Sequence, residues 1–156
     1  MRIEELALQG VLKVELEQIE ASRGFFARQF CADEFSKGVG PVTWAQVNTS
    51  YSKHRGTLRG LHLQIGSHAE AKFIRCISGE IWDVAVDLRI NSPSYGRYVS
   101  LNLSNRNRTG IFVPPGFAHG FLSLTDDTEI IYFVSNRYHP PAERTLLWND
   151  PDVGIT

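Results

Sequence analysis

Glu80-Ile81-Trp82-Asp83-Val84-Ala85-Val86-Asp87-Leu88 is the stretch from which the fold of this chain is read. Side chains alternate between two faces along an extended strand. Trp82, Val84, Val86 and Leu88 therefore share one face, and Ile81, Asp83, Ala85 and Asp87 share the other. Two carboxylates on one face cannot sit unpaired in a dry core. That face must meet solvent, a basic partner or a polar cavity. To either side, alternating or β-branched runs recur at Val11–Leu16, Val42–Ser50, Leu58–Gln64, Ala71–Ile77, Tyr98–Leu103, Thr109–Val113, Gly120–Leu124 and Glu129–Val134. Breaks such as Ser78-Gly79, Asn91-Ser92-Pro93, Ser104-Asn105, Pro114-Pro115-Gly116 and Asp126-Asp127 separate them. Strands spaced roughly ten residues apart with Gly, Pro and Asn turns predict an all-β sandwich or barrel rather than βαβ units. Helix is expected only over about Gln29–Lys37, with Phe30 and Phe35 packing inward. The segment Pro140–Arg144 reads as a loop.

Composition narrows the function classes. The 156 residues suit one domain, 1–156, able to bury a core without disulfides or metals. Sixteen Lys and Arg against 17 Asp and Glu give a net charge of −1, which argues against nucleic-acid and membrane-surface partners. The two cysteines, Cys31 and Cys76, lack CxxC spacing, and Cys76 reads as a buried free thiol in an apolar run. No apolar run approaches the length of a membrane span, and Met1–Gly10 is short and amphipathic rather than a secretory leader. These features point to a cytoplasmic protein.

Polar residues at the edges of separate strands carry the chemistry. In the Ala71–Ile77 run, Lys72, Ile74 and Cys76 share a face, which puts an ammonium at the mouth of an apolar surface. A pairing of Lys72 with Asp83 is one arrangement open to it. Of the five histidines, His54 and His139 flank basic or Pro-rich loops and read as solvated. His62 lies within Arg59-Gly60-Leu61-His62-Leu63-Gln64, and His119 follows the rigid Pro114-Pro115-Gly116 turn. With Tyr132 on a further strand, short strands closing into a barrel can bring a base, a cation and an acid into one pocket. Such a set can move a proton on carbon beside a carbonyl.

Pro114–His119 has the P-x-G-x-x-H form and resembles the second signature of cupin barrels, whose first signature would fall at His62. Metal-binding cupins carry H-x-H followed by Glu, whereas this chain has His62-Leu63-Gln64 with His68 and Glu70 after it. Gln is a poor substitute for imidazole on a divalent transition metal, so a site from His62, His68 or Glu70, and His119 is disfavoured. No metal and no cofactor are expected.

A non-metal branch matches more closely. R-G-L-H-x-Q, the lysine of A-K-F-I-R, G-E-x-x-D-V-A-V-D-L-R, S-P-S-Y-G, P-P-G-F-A-H-G-F, the tyrosine of E-I-I-Y and W-N-D-P-D-V-G-I together resemble the dTDP-4-dehydrorhamnose 3,5-epimerase family, from Arg23 to the C-terminus. The resemblance implies an all-β, cupin-like double-stranded β-helix (jelly roll) with little helix, forming a homodimer. It implies a cofactor-independent epimerase that inverts C3, C5 or both in a nucleoside-diphosphate 4-keto-6-deoxyhexose of deoxysugar biosynthesis, most simply a dTDP sugar. His62 matches the base, Tyr132 the acid and Lys72 the cation at the enolate oxygen. His119, Arg59, Gln46, Asn48, Tyr138 and Glu143 match substrate contacts, with Arg59 on the diphosphate and Tyr138 stacked on the base. Arg23 matches an arginine that reaches the nucleotide across the subunit interface.

Two departures accompany the match. Arg28 stands where the family motif R-G-F-F-x-E has an acid, which bears on the identity of the base. The family aspartate that orients the base histidine belongs to a tail after W-N-D-P-x-x-G-I, and the sequence given ends at Thr156. Asp83 or another acid is expected to take the orienting role. The competing readings are a sugar-nucleotide-binding cupin with lost or altered catalysis, a keto-sugar isomerase, and a metal-dependent cupin oxygenase.

Overall fold

The computed structural model describes residues 1–156. Strands follow one another as β1 (Arg2–Glu5), β2 (Leu12–Glu15), β3 (Gln18–Ala21) and β4 (Gly24–Ala27). The single helix α1 (Ala32–Val39) comes next, and then β5 (Gln46–Ser52), β6 (Leu58–Gln64), β7 (Lys72–Ser78), β8 (Glu80–Asp87) and β9 (Tyr98–Ser104). The series closes with β10 (Thr109–Val113), β11 (Phe117–Ser123), β12 (Thr128–Val134) and β13 (Glu143–Thr145). All strand pairings are antiparallel. A six-stranded sheet, β1-β2-β10-β7-β12-β5, faces a five-stranded sheet, β13-β6-β11-β8-β9, and β3 and β4 form a separate hairpin. This is the cupin-like jelly roll.

Alternation builds three apolar layers. The inner faces meet in a core containing Ile74, Cys76, Ile81, Ala85, Ile111, Phe121 and Ile130. Burial pushes the Cys76 thiol up to about 11, as expected of a structural cysteine. On the outer face of the larger sheet, Phe73 and Phe112 are covered by Phe35 of α1 together with Phe30, Trp44 and Phe133. On the outer face of the smaller sheet, Leu61, Leu63, Val84 and Val86 pack with Trp82, Leu146 and Ile155.

The Ile81-Asp83-Ala85-Asp87 face thus points into the molecule, and both carboxylates find basic partners. Asp83 meets His119, while Asp87 accepts from Arg89, Ser92 and Ser94. Burial pushes the Asp87 carboxyl up, but these donors outweigh it and hold it well below the usual carboxylate range.

The pattern-based expectation lacks β1, β3 and β4, and it differs in element limits chiefly at four further places. The helix begins at Ala32, and Phe30 packs from the segment before it. The strand expected from Val42 begins at Gln46, because Val42 and Trp44 are drawn onto the α1 layer instead of the sheet. β11 begins at Phe117, directly after the Gly116 turn, so His119 is a mid-strand residue. The region expected as a loop, Pro140–Arg144, holds a short 3₁₀ turn and then β13, which pairs with β6 and sets Thr145 opposite His62 and Glu143 opposite Gln64.

Candidate active site

At one end of the space between the sheets the apolar core gives way to polar side chains and opens as a cavity of about 520 Å³. That volume lies within the range of roughly 300–1,000 Å³ common for small-molecule sites. The smaller sheet contributes Arg59, His62 and Gln64 from β6 and His119 from β11. The larger sheet contributes Gln46 and Asn48 from β5, Lys72 from β7 and Tyr132 from β12. Glu70, Tyr138 and Glu143 complete the mouth.

A bulge aims several of these groups. His119 pairs with His62, but the register shifts before Phe121 pairs with Arg59. Two glycines permit the local approach of β6 and β11. A Cβ on Gly120 would lie 2.6 Å from the Arg59 carbonyl oxygen, and one on Gly60, at φ +112°, would lie 2.6 Å from the Gly120 Cα. Bulges of this kind re-aim side chains beside functional sites.

His62 is half-exposed at the cavity wall. Its Nδ1 lies 3.3 Å from Thr145 Oγ1 and 3.6 Å from Glu143 Oε1. Glu143 also accepts a 2.8 Å hydrogen bond from the Tyr138 hydroxyl. β13 therefore supplies the groups beside the imidazole. Asp83, one acid open to the orienting role at His62, meets His119 instead. Both its oxygens lie within 3.0 Å of His119 Nε2, with Asp83 fully buried beneath His119. The cause is the β8–β11 register, which sets His119 opposite Ala85 and so on a diagonal to Asp83.

Lys72 is largely buried. Its Nζ donates to the His62 carbonyl oxygen at 3.1 Å and lies 3.3 Å from Glu70 Oε1. The direct ion pair is with Glu70, not Asp83. Burial pushes the ammonium below its ordinary value, opposed by Glu70 and more weakly by Asp83 and Glu143. On the neighbouring strand β12, burial and the Glu70 charge raise the Tyr132 phenol, which stays a proton donor at neutral pH.

Arg59 is held by hydrogen bonds from Nε to Ser52 Oγ (3.1 Å) and from Nη2 to the Tyr51 carbonyl oxygen (2.8 Å), leaving Nη1 for a ligand. Gln46 Oε1 accepts from the Tyr138 amide at 2.8 Å, and Asn48 is the register partner of Tyr132. Gln64 ties the mouth loops together. Its amide donates to Glu70 and to the Arg137 carbonyl, and its Oε1 accepts from the His139 amide at 2.6 Å. His68 stacks on His139 with centroids 4.0 Å apart.

Two singled-out residues lie elsewhere. Arg23 sits at the exposed tip of the β3–β4 hairpin, outside this chain's own cavity. Arg28 follows β4 and pairs with Glu34 at 2.6 Å. Sequence reasoning weighed Glu70 only as a metal ligand and passed over Thr145. The alternation of Glu143 and Thr145 was the available signal, hidden by the Pro140-Pro141 pair that reads as a loop.

The fold and its lining define a cupin-type jelly roll with a polar, open pocket that pairs an imidazole with a phenol. Residues 5–156 match the family model described as dTDP-4-dehydrorhamnose 3,5-epimerase. The enzyme of that name from Salmonella typhimurium is 43% identical over 150 residues, covering 96% of this chain and 81% of that protein. The crystal structure of dTDP-4-dehydrorhamnose 3,5-epimerase from Elizabethkingia anophelis superposes with a TM-score of 0.95 at 38% identity, covering 100% of this chain and 85% of the other. That of dTDP-6-deoxy-D-glucose-3,5-epimerase from Legionella pneumophila, in complex with dTDP-4-keto-L-rhamnose, gives a TM-score of 0.93 at 33% identity over 99% of this chain and 81% of the other. The chain belongs to the dTDP-4-dehydrorhamnose 3,5-epimerase family, epimerases of the isomerase class.

Proposed function

We propose that this protein epimerises a dTDP-linked 4-keto-6-deoxyhexose by removing a proton from a carbon next to the C4 ketone and returning one to the opposite face. The observation that carries the reading is that His62 and Tyr132 line one cavity from opposite sheets. His62 takes the proton from C3 or C5, and the C–H electron pair moves into the C4 carbonyl as an enolate. The Lys72 ammonium stabilises the charge developing on oxygen. Tyr132 then gives its phenolic proton to the carbanion from the far side, and exchange with water restores both groups. Arg59 serves the diphosphate with the fork suited to it. Tyr138, exposed at the mouth and anchored by Gln46 and Glu143, stacks on the base. His119, fixed by Asp83, contacts the sugar.

The same reading includes a homodimer. Arg23 sits on a hairpin with Ile19 67% and Phe26 63% exposed, a surface that a second copy would cover while bringing Arg23 to its neighbour's cavity. It also places the protein in the cytoplasm, in keeping with two unpaired cysteines.

The test is incubation with dTDP-4-keto-6-deoxyglucose in deuterated water, read by NMR. Deuterium at C3 alone, or at C3 and C5, with inverted configuration supports the proposal and counts the carbons processed. Tight dTDP binding without any exchange would overturn it in favour of a binding protein.

A further inference from the structure

We propose that Glu70, on the loop that enters β7, is a positioning residue that fixes the Lys72 ammonium beside the reacting carbonyl; the proposal rests on the epimerase reading above. The Glu70 side chain is 8% exposed and that of Lys72 is 12% exposed, with 3.3 Å between Oε1 and Nζ. An ammonium so far removed from water needs a counter-charge. Glu70 is the one carboxylate bonded to it. Its second oxygen accepts from Gln64, which also holds the 136–139 segment through the Arg137 carbonyl and the His139 amide. The carboxylate is thus held at both oxygens, by Lys72 at one and Gln64 at the other. Lys72 in turn donates to the His62 carbonyl oxygen, so the cation and the base are held by one short chain of contacts.

Seven titratable groups besides Glu70 face this ammonium or line the cavity with it, among them Arg59 and His62 on β6 and Tyr138 at the mouth. The other four are Asp83 on β8, Glu143 on β13, Tyr132 on β12 and His119 on β11. Asp83 is committed to His119 and Glu143 to Tyr138, so neither replaces Glu70 at contact distance. Glu70 favours the protonated forms of both Lys72 and Tyr132. Its removal lets both lose their protons at lower pH. The alkaline limb of the rate profile, which needs Lys72 charged and Tyr132 neutral, then moves down in pH.

The experiment uses Glu70→Gln, which keeps the shape and removes the charge. Three quantities are read: the 13Cε chemical shift of Lys72 against pH in protein labelled at its four lysines, kcat against pH, and the Kd for dTDP. The expected result is a Lys72 titration midpoint and an alkaline limb each lower by about one unit or more. kcat at neutral pH should fall about tenfold or more, with the dTDP Kd unchanged within about twofold. A Lys72 midpoint equal to that of the wild type overturns the assignment, as does a loss confined to dTDP affinity. Should Glu70→Gln fail to fold, Glu70→Asp draws the carboxylate back from Nζ and must lower the midpoint in part; an unchanged midpoint there overturns it as well. The Lys72 titration needs no turnover. No deuterium exchange by the wild type, together with a lowered Lys72 midpoint in Glu70→Gln, would sink the epimerase reading alone.

Discussion

In the proposed reaction His62, Tyr132 and Lys72 divide one proton transfer among three chemically distinct groups, and each proposed role predicts a different failure. His62→Asn keeps a polar side chain but removes the base. Deuterium wash-in at every exchanging carbon should fall by about 10²–10⁴-fold, measured by NMR on a 4-keto sugar nucleotide. Rates near those of the wild type would remove His62 from the mechanism. Tyr132→Phe keeps the ring and removes the proton to be returned, so completed inversion should drop more than initial exchange. Equal losses in the two would mark Tyr132 as a gate on abstraction instead of the donor. Glu143→Gln removes the carboxylate 3.6 Å from His62 Nδ1. kcat should fall by about tenfold to a hundredfold, as for other groups that orient an imidazole from behind, with the effect read at saturating substrate to separate it from the Tyr138 contact.

Among the elements, β13 and the β6–β11 bulge place the site. β13 is three residues long, yet it puts Glu143 and Thr145 against His62. The bulge depends on the close approach at Gly60 and Gly120. Gly120→Ala would place a methyl group 2.6 Å from the Arg59 carbonyl oxygen, which is backbone and cannot swing aside. We expect a loss of about 1–3 kcal/mol, seen as a fall in Tm of roughly 2–4 °C per kcal/mol, together with reduced exchange because Arg59, His62 and His119 all shift. A variant with unchanged Tm and activity would refute the packing argument. The turn after β8 depends on charge instead. The Asp87 carboxyl is depressed in the folded state by Arg89, Ser92 and Ser94. Its stabilisation is therefore complete above the unfolded carboxylate value of roughly 3.9 and is lost as pH falls through the lower folded value. Asp87→Ala should cost on the order of 3 kcal/mol at neutral pH. In denaturant titrations the gap from wild type should narrow steadily below about pH 4.

For the molecule as a whole, the prediction concerns assembly. The exposed β3–β4 hairpin carries Arg23 away from the cavity of its own chain, so a pocket completed by a second copy should show complementation. Arg23→Ala and His62→Asn variants, each nearly inactive, should regain part of the activity when mixed and allowed to exchange subunits. In the mixed dimer, one pocket has an intact His62 in one chain and an intact Arg23 from its partner. No recovery despite confirmed exchange would place Arg23 outside the site.

The amino-acid order was enough to define most of the longer period-two strands, the all-β class and the motifs that hold His62, Lys72, His119 and Tyr132. These are local properties: a pleated strand imposes its alternation within a few residues, and a motif such as R-G-L-H-x-Q is read where it stands. The partner of each charge was not local. Whether Asp83 serves His62, Lys72 or His119 depends on the register between β8 and β11, which joins residues 36 apart in the chain. The strand character of Glu143–Thr145 arises from pairing with β6, because three residues after two prolines have no strand signal of their own. The role of Glu70 likewise emerges only when burial removes water from Lys72 and leaves a single carboxylate at contact distance. Long-range pairing and desolvation are products of tertiary packing, and they bring a set of separate polar residues together in one cavity.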